Sequence, residues 1–269
     1  METIGFLGGG NMAEALIKGI IEARMWQPEH ILVSDVRQER LEYLEQRYKI
    51  KKVKSNEELA EKANIVVLSV KPQQITEAMV SIKEKLSKEA LVISIAAGVR
   101  TEKIREVLGE RAIVRVMPNT PALVGEGASV LFANDKGVLM LQKARSIFSA
   151  VGKAVVVDDE NLIDAVTAVS GSGPAYYFLL MEEMIKAGIS LGLDETTAKG
   201  LVLQTAKGAA LLAEAAAKNG ESAEQLRKKV TSPGGTTEAA LKVFAEGRFG
   251  QLVCAALKKA CERSKELSN

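Results

Sequence analysis

The stretch Thr3-Ile4-Gly5-Phe6-Leu7-Gly8-Gly9-Gly10-Asn11-Met12-Ala13 decides the fold of the N-terminal half. Its first five residues are typical of a short buried strand, and the residues after the glycines carry apolar side chains at helical spacing. The glycines follow the pattern G-x-G-x-x-[GA], which between a strand and a helix indicates a dinucleotide-binding site. Gly8 permits the tight turn, Gly10 lets a pyrophosphate approach the backbone, and Ala13 lets the helix pack on the strand.

An acidic residue beyond the turn strengthens this interpretation. Asp35 lies about 20 residues further on, where the fingerprint places a carboxylate. It disfavours the alternative, a glycine-rich loop without a ligand. The N–H groups at the helix start would receive the phosphates. The turn therefore predicts cofactor contacts from Leu7, Gly8, Gly9, Gly10, Asn11 and Met12.

Composition limits the other classes of function. The chain has 269 residues, 47% of them hydrophobic, and a net charge of +2 with mixed signs. Such a balance argues against a nucleic-acid partner, which needs a basic face. No apolar run reaches the roughly 18 residues of a membrane span. The first strand starts within three residues of the N-terminus, which leaves no room for a signal peptide, so we expect a cytoplasmic protein.

The cysteines do not indicate a disulfide or a metal site. Cys254 and Cys261 are expected on one helix, where their spacing puts the Cα atoms about 10 Å apart. That distance exceeds the roughly 7 Å limit for a disulfide. The one histidine, His30, is far away in the sequence. We therefore expect no metal site.

Short β-branched runs alternate with helical patterns over residues 1–158. This alternation predicts an α/β domain built on a doubly wound parallel sheet, a Rossmann-like dinucleotide-binding domain. Helices are expected over Ile75–Leu86 and Thr101–Leu108. The predicted strands after the first are Ile31–Ser34, Ile65–Val70, Leu91–Ile95 and Ile113–Met117, with Ser129–Phe132 and Ala154–Val157 as edge strands.

The pattern becomes all-helical from residue 159 to 269. Pro174 suits the first turn of a helix, and Asp194 and Ser222 are expected N-caps. The apolar surface is spread over long helices with few aromatic residues, so we expect part of it to be buried against a second copy. The predicted helices are Asn161–Val169, Pro174–Ser190, Glu195–Lys218, one from Ser222 to Val230, and two more split near Gly247–Gly250.

Four loops follow the ends of predicted parallel strands. Taken singly each could be an ordinary turn, but in an open α/β sheet all four face one crevice, which holds the ligand. The cofactor contacts expected here are Ser34, Asp35, Arg37, Asn56, Val70, Lys71, Pro72, Ala96, Ala97, Gly98 and Asn119.

Several motifs together resemble the pyrroline-5-carboxylate reductases over the whole chain. They are the glycine turn, Val70-Lys71-Pro72, 94–99, 115–121, 168–176 and, most specifically, Ser232-Pro233-Gly234-Gly235-Thr236-Thr237. One departure is Lys228, where members of the family often carry Asp. It lies outside the motifs.

The resemblance implies reduction of 1-pyrroline-5-carboxylate to L-proline by NADPH or NADH, the last step of proline biosynthesis. It also implies a homo-oligomer, at least a dimer and in some relatives a decamer. The active site would lie between one chain's cofactor domain and the other chain's helices. The domains expected are 1–158 for the cofactor and 159–269 for dimerisation and substrate.

The glycine-rich loop at 232–237 opens a predicted helix, so its amides can bind a substrate carboxylate. The predicted substrate contacts are Ser232, Gly234, Gly235, Thr236 and Thr237. By resemblance, the Thr237 hydroxyl would lie near the ring nitrogen and Ser172 would contribute to the same catalytic site. The motifs contain no His, Glu or Lys placed as a general acid, so we expect a site without a titrating side-chain acid.

Cofactor choice and two rival functions stay open at this stage. Asp35 favours NADH, whereas Arg37 can pair with the 2′-phosphate of NADPH, so we expect both cofactors to work. A β-hydroxyacid dehydrogenase or imine reductase of similar layout would carry a lysine shortly after the glycines at 171–173, but the next lysine is Lys186. A nicotinamide-binding sensor without turnover would have no need of the motif at 232–237.

Overall fold

One eight-stranded sheet organises the first part of the chain, and the computed structural model describes residues 2–268. The strands lie in the order β3-β2-β1-β4-β5-β6-β7-β8. They are β1 Ile4–Leu7, β2 Ile31–Ser34, β3 Lys51–Lys52, β4 Ile65–Leu68, β5 Leu91–Ser94, β6 Ala112–Met117, β7 Gly127–Ala133 and β8 Gly152–Val156.

Six helices connect these strands and cover both faces of the sheet. They are α1 Asn11–Glu22, α2 Gln38–Tyr48, α3 Asn56–Lys62, α4 Ile75–Ile82, α5 Thr101–Leu108 and α6 Leu141–Ser149. Alternate residues of one strand enter different cores: Ile65 and Val67 lie in one apolar cluster, and Val66 and Leu68 in the other. The doubly wound sheet predicted from the continuous apolar runs is thereby confirmed.

Two strands depart from the prediction, and the first is β3, Lys51–Lys52, which was not predicted. β7 was expected at an edge, but it lies between β6 and β8 and is antiparallel to β6. The chain between β6 and β7 holds only a 3-10 turn, Thr120–Val124. A parallel pair needs a crossover of a dozen or more residues, usually a helix, so this short connection reverses the chain instead. The edges of the sheet are β3 and β8.

After β8, the described part of the chain contains no further strand, as predicted. The helices are α7 Leu162–Val166, α8 Gly173–Ser190, α9 Glu195–Ala217, α10 Ala223–Lys229, α11 Thr236–Glu246 and α12 Phe249–Ser268. A π-helical turn, Thr167–Gly171, extends α7 and replaces the regular helix expected there. The expected caps are confirmed: Asp194 accepts a hydrogen bond from the Thr197 amide, and Ser222 forms a capping box with Gln225.

The chain divides into two compact units. The first runs to Pro174 and includes the segment from Lys259 onward, and the second is Ala175–Lys258. In the second unit, the side chains of Tyr177, Phe178 and Leu179 are 58–67% exposed in the single chain. Exposed apolar surface of this extent marks a protein–protein interface.

A buried polar cluster fixes the end of α12 within the first unit. Asp164 is 1% exposed and accepts a 2.7 Å hydrogen bond from the Ser264 hydroxyl. The Arg100 guanidinium lies 3.7 Å from the same carboxylate. Nearby, Gly98 has a φ of +74°, and a Cβ placed on it would lie 2.8 Å from the Leu267 carbonyl oxygen. The end of α12 therefore packs directly on the loop after β5.

Candidate active site

The glycine turn lies at the point where the strand order reverses. β1 pairs with β2 on one side and with β4 on the other. The Gly8 amide donates to the Ser34 carbonyl at 2.7 Å, and the Ser69 amide donates to the Leu7 carbonyl at 2.9 Å. In an open α/β sheet, a ligand binds at such a switch point, outside the carboxyl ends of the strands.

Three residues of the fingerprint have the local geometry that a dinucleotide-binding turn needs. Gly8 has a φ of +96°, and a Cβ there would lie 2.8 Å from the Ser69 carbonyl oxygen. Ala13, in the first turn of α1, is fully buried. A Cβ on Gly10 would meet no described atom within 4 Å, so the turn is open in front of this residue.

These residues fit a dinucleotide cofactor. No side chain caps the N-terminus of α1, and the first N–H groups of a helix have no partner within the helix. The Gly9 amide is already used, because it donates to the Asp35 carboxylate at 2.8 Å. The amides available to a pyrophosphate are therefore those of Gly10, Asn11 and Met12.

Asp35 and Arg37 form a charge pair directly after β2. The Arg37 amide and Nε donate to Asp35 Oδ1 at 2.9 and 3.0 Å. The Asp35 side chain is 7% exposed and that of Arg37 is 54% exposed. Burial opposes ionisation of Asp35, but the hydrogen bonds from Arg37 and Gly9 outweigh it and hold the pKa of this carboxyl below its usual value. Asp35 is therefore an anion at neutral pH.

Ser34 and Asn56, also predicted at this end of the crevice, bond to each other. The buried Ser34 hydroxyl donates to Asn56 Oδ1 at 2.5 Å. The Asn56 amide donates to the Ser81 hydroxyl at 3.0 Å. This chain of bonds joins the end of β2 to α3 and α4. Contact of Ser34 or Asn56 with a cofactor stays a prediction.

The loops after β4 and β5, residues 70–72 and 96–98, differ in exposure. Val70 is half-buried, whereas Lys71 and Pro72 are exposed at the start of a 3-10 turn. After β5, Ala96 is buried, and Ala97 and Gly98 are half-buried. Because β1, β4 and β5 are parallel neighbours, both loops leave the same edge of the sheet as the glycine turn.

Asn119 connects the loop after β6 to the π-helical turn. Its side-chain amide donates to the Ser170 carbonyl at 3.0 Å, and its oxygen accepts from the Ala128 amide at 2.8 Å. Ser172 ends that turn, with its amide bonded to the Thr167 carbonyl at 2.8 Å. The Asn119 side chain thus holds the segment that carries Ser172, and a contact of its own with a cofactor stays a prediction.

The second motif, Ser232–Thr237, lies in the second unit and opens α11 as predicted. Gly234 has a φ of +71°, and no side chain caps the helix. Two amides of the motif are used internally: Gly235 donates to the Ser232 carbonyl at 3.0 Å, and Gly234 to Glu238 Oε2 at 2.7 Å. The amides of Thr236 and Thr237, the first two residues of α11, remain for a carboxylate.

A groove of about 740 Å³ runs beside this motif. Gly234, Gly235, Glu238 and Lys228 are among its lining residues. Lys228, the departure from the family pattern, pairs with Glu224 at 2.8 Å. Glu238 was not among the predicted site residues, although its place three residues after the N-cap Gly235 is the capping-box position.

The predicted residues thus divide between the units. All the predicted cofactor contacts and Ser172 belong to the first unit, and the predicted substrate motif, Ser232–Thr237, belongs to the second. Within residues 2–268, no helix is long and apolar enough to cross a membrane. No three His, Cys, Asp or Glu side chains of that range gather as ligands for a metal ion.

Two protein-family models match separate parts of the chain. Residues 160–267 match the pyrroline-5-carboxylate reductase dimerisation family. Residues 3–98 match the NADP oxidoreductase, coenzyme F420-dependent family.

Full-length relatives carry the same family name. A pyrroline-5-carboxylate reductase of Pseudomonas aeruginosa is 47% identical over 267 residues, 98% of this chain and 96% of the relative. A solved structure of a pyrroline-5-carboxylate reductase from Coxiella burnetii superposes with a TM-score of 0.92 at 42% identity, covering 100% of this chain and 99% of the other. The pyrroline carboxylate reductase of Plasmodium falciparum, solved with NADP bound, gives 0.89 at 35% identity, covering 100% and 98%. Likeness of this degree over the whole length shows that the chain belongs to the pyrroline-5-carboxylate reductase family.

Proposed function

We propose that the protein reduces 1-pyrroline-5-carboxylate to L-proline with NADPH or NADH. The observation that carries the proposal is the open glycine turn before the uncapped helix α1, in a chain that matches reductases of this name from end to end. The rival functions have weaker support. A sensor without turnover would not require the motif at 232–237, which opens α11 here. A hydroxyacid dehydrogenase would carry a lysine shortly after the glycines at 171–173, but the next lysine is Lys186.

The chain's own residues bind and orient the reactants. When bound, the nicotinamide supplies the hydride. The amides of Gly10, Asn11 and Met12 hold the pyrophosphate at the start of α1, where the helix dipole favours negative charge. The same physics applies to the substrate carboxylate at the start of α11, with the amides of Thr236 and Thr237 as donors.

Thr237 and Ser172 are the proposed catalytic residues. The Thr237 hydroxyl would hydrogen-bond at the ring nitrogen, and Ser172 would contribute at the same site. Neither group titrates near neutral pH, so the imine proton comes from the protonated substrate or from water. The proposal therefore assigns positioning and hydrogen bonding to the protein and no proton transfer to a side-chain acid.

The working form is a homo-oligomer, at least a dimer. The family model that matches 160–267 is a dimerisation domain, and the second unit exposes large apolar side chains in the single chain. Sedimentation should show a dimer or larger assembly at assay concentrations. A fully active monomer would contradict this part of the proposal.

Growth of a proline auxotroph provides the functional test. A bacterium that lacks its own pyrroline-5-carboxylate reductase should grow without proline when it expresses this chain, and the Thr237→Ala variant should support slower growth. No growth with a folded, expressed wild-type chain would refute the proposal. Fractionation of the same cells tests the proposed cytoplasmic location.

A further inference from the structure

Arg40, in the first turn of α2, contacts the carbonyl oxygens of the glycine turn. Its Nε donates to the Gly9 carbonyl at 2.5 Å, and its terminal nitrogen lies 3.5 Å from the Gly10 carbonyl. The same nitrogen pairs with the Glu14 carboxylate of α1. The Arg40 side chain is 17% exposed, so the guanidinium lies largely within the protein.

Glu14 keeps this guanidinium in place. Besides Arg40, its carboxylate accepts hydrogen bonds from the Tyr43 hydroxyl at 3.0 Å and the Tyr48 hydroxyl at 2.9 Å. The Arg40 guanidinium also lies 5.0 Å from the centre of the Tyr43 ring, within cation–π range. Burial opposes ionisation of Glu14, but the hydrogen bonds from Arg40, Tyr48 and Tyr43 outweigh it and lower its pKa.

These contacts determine where the amides of the turn point. In a trans peptide, the carbonyl and the following N–H lie on opposite sides of the chain. Holding the Gly9 carbonyl against Arg40 therefore directs the Gly10 N–H away from this guanidinium. A Cβ placed on Gly10 would meet no described atom within 4 Å, so the turn has room for a ligand at this residue. The preceding peptide is fixed too, because the Gly9 N–H donates to Asp35.

We propose that Arg40, held by Glu14, is a positioning residue that presents the Gly10 amide to the cofactor pyrophosphate. The inference rests on the proposed function, since it concerns the cofactor of that reaction. Arg40 acts through the Gly9–Gly10 peptide. Substitution of Arg40 should weaken the binding of ligands that carry a pyrophosphate and leave the binding of other ligands unchanged.

Binding of four probes to the full-length protein separates this role from a general one. NADPH, NADH and ADP-ribose carry a pyrophosphate, whereas adenosine 2′-monophosphate does not. Calorimetry should show that Arg40→Gln raises the Kd of the first three about tenfold, the effect of one lost hydrogen bond to a charged group. The Kd of adenosine 2′-monophosphate should stay within twofold.

Arg47→Gln is the matched control. Arg47 belongs to the same cluster and donates to the Tyr48 hydroxyl at 3.2 Å, and its substitution removes the same charge. It should leave all four Kd values within twofold. If Arg40→Gln does not fold, as judged by thermal denaturation without ligand, Glu14→Gln should produce the same pattern because it releases the guanidinium.

Three results would overturn the inference. They are an unchanged Kd for ADP-ribose in Arg40→Gln, an equal loss for adenosine 2′-monophosphate, and an equal loss for every probe in Arg47→Gln. A wild-type protein that binds none of the three pyrophosphate ligands would refute the proposed function as well. A wild-type protein that binds and turns over, with Arg40→Gln indistinguishable from it, would refute only this inference.

Discussion

The charge pair at the end of β2 should decide cofactor preference, and Asp35→Ser tests this most sharply. Asp35 and Arg37 neutralise each other across 3.0 Å. Removing the carboxylate would leave the Arg37 cation free to attract a 2′-phosphate, and it would remove the acceptor that we propose for the ribose hydroxyls of NADH. Because Arg37 is half exposed and therefore screened, we expect a change of about 2 kcal/mol, which raises the NADPH to NADH ratio of kcat/KM about 30-fold.

Asp35 has a second role, which a matched variant isolates. Its carboxylate also accepts the Gly9 amide at 2.8 Å, so Asp35→Ser should weaken both cofactors in addition to shifting their ratio. Asp35→Asn keeps an oxygen that can accept this amide but has no charge. It should shift the ratio by a similar factor while affecting the absolute kcat/KM values less.

The opposite substitution should act in the opposite direction. Arg37→Ala leaves the Asp35 anion uncompensated, and the ratio should fall about tenfold, or about 1.4 kcal/mol. The assay is initial-rate kinetics with both reduced cofactors at saturating pyrroline-5-carboxylate and constant ionic strength. If neither Asp35→Ser nor Arg37→Ala moves the ratio by more than twofold, this loop does not read the 2′ position and the reasoning is wrong.

Three further predictions concern the substrate motif, the C-terminal helix and acid stability. Thr237→Ala should remove one hydrogen bond to a charged group, a loss of roughly 1.5–3 kcal/mol of transition-state stabilisation that lowers kcat/KM for the imine. Calorimetry should show an unchanged Kd for NADPH, and unchanged kinetics would show that Thr237 is not part of the site. Gly98→Ala should lower the Tm more than Gly125→Ala does, because both glycines have a positive φ but only at Gly98 would a Cβ lie 2.8 Å from the Leu267 carbonyl oxygen. Gly125→Ala should cost only the backbone strain, about 1–2 kcal/mol, and equal decreases of Tm in the two variants would contradict the contact. The pKa of Glu14 is lowered in the folded protein. The Glu14 carboxylate therefore stabilises the fold fully above the pKa of an unfolded glutamate, and this stabilisation is lost as the pH falls towards the folded value. In a plot of Tm against pH, Glu14→Gln should fall less steeply below about pH 4.5 than the wild type does, and parallel curves would refute this prediction.

Local patterns predicted those parts of the fold whose causes are local. The turn at Gly8 and the caps at Asp194 and Ser222 depend on neighbouring residues, and each forms as expected. The apolar run at 65–70 forms a strand as well, but β4 ends two residues earlier than predicted, at Leu68. The direction of β7 depends on whether the chain before it contains a crossover helix. The segment between β6 and β7, residues 118–126, contains two prolines and no clear helix signal. The sequence alone therefore does not predict whether β7 runs parallel or antiparallel to β6.

Contacts between distant segments were not predictable in this way. Arg40 and Glu14 read as ordinary polar residues on two helices, and nothing in their spacing signals that they meet behind the glycine turn. The same holds for Asn119, which was expected to face a cofactor. Its amide joins Ala128 to Ser170 across three segments of chain. These contacts join residues that are far apart in the sequence, so they become visible only when the chain is folded.

Transfer of an isotopically labelled hydride is the most direct test of the central claim. The purified protein would be given 1-pyrroline-5-carboxylate with NADPH, or NADH, deuterated at the transferable position of the nicotinamide, and the product analysed by mass spectrometry. The account predicts L-proline that carries one deuterium at the carbon of the former imine, formed in equal amount to the oxidised cofactor. Cofactor binding without labelled proline, in a preparation shown to be folded and oligomeric, would contradict it.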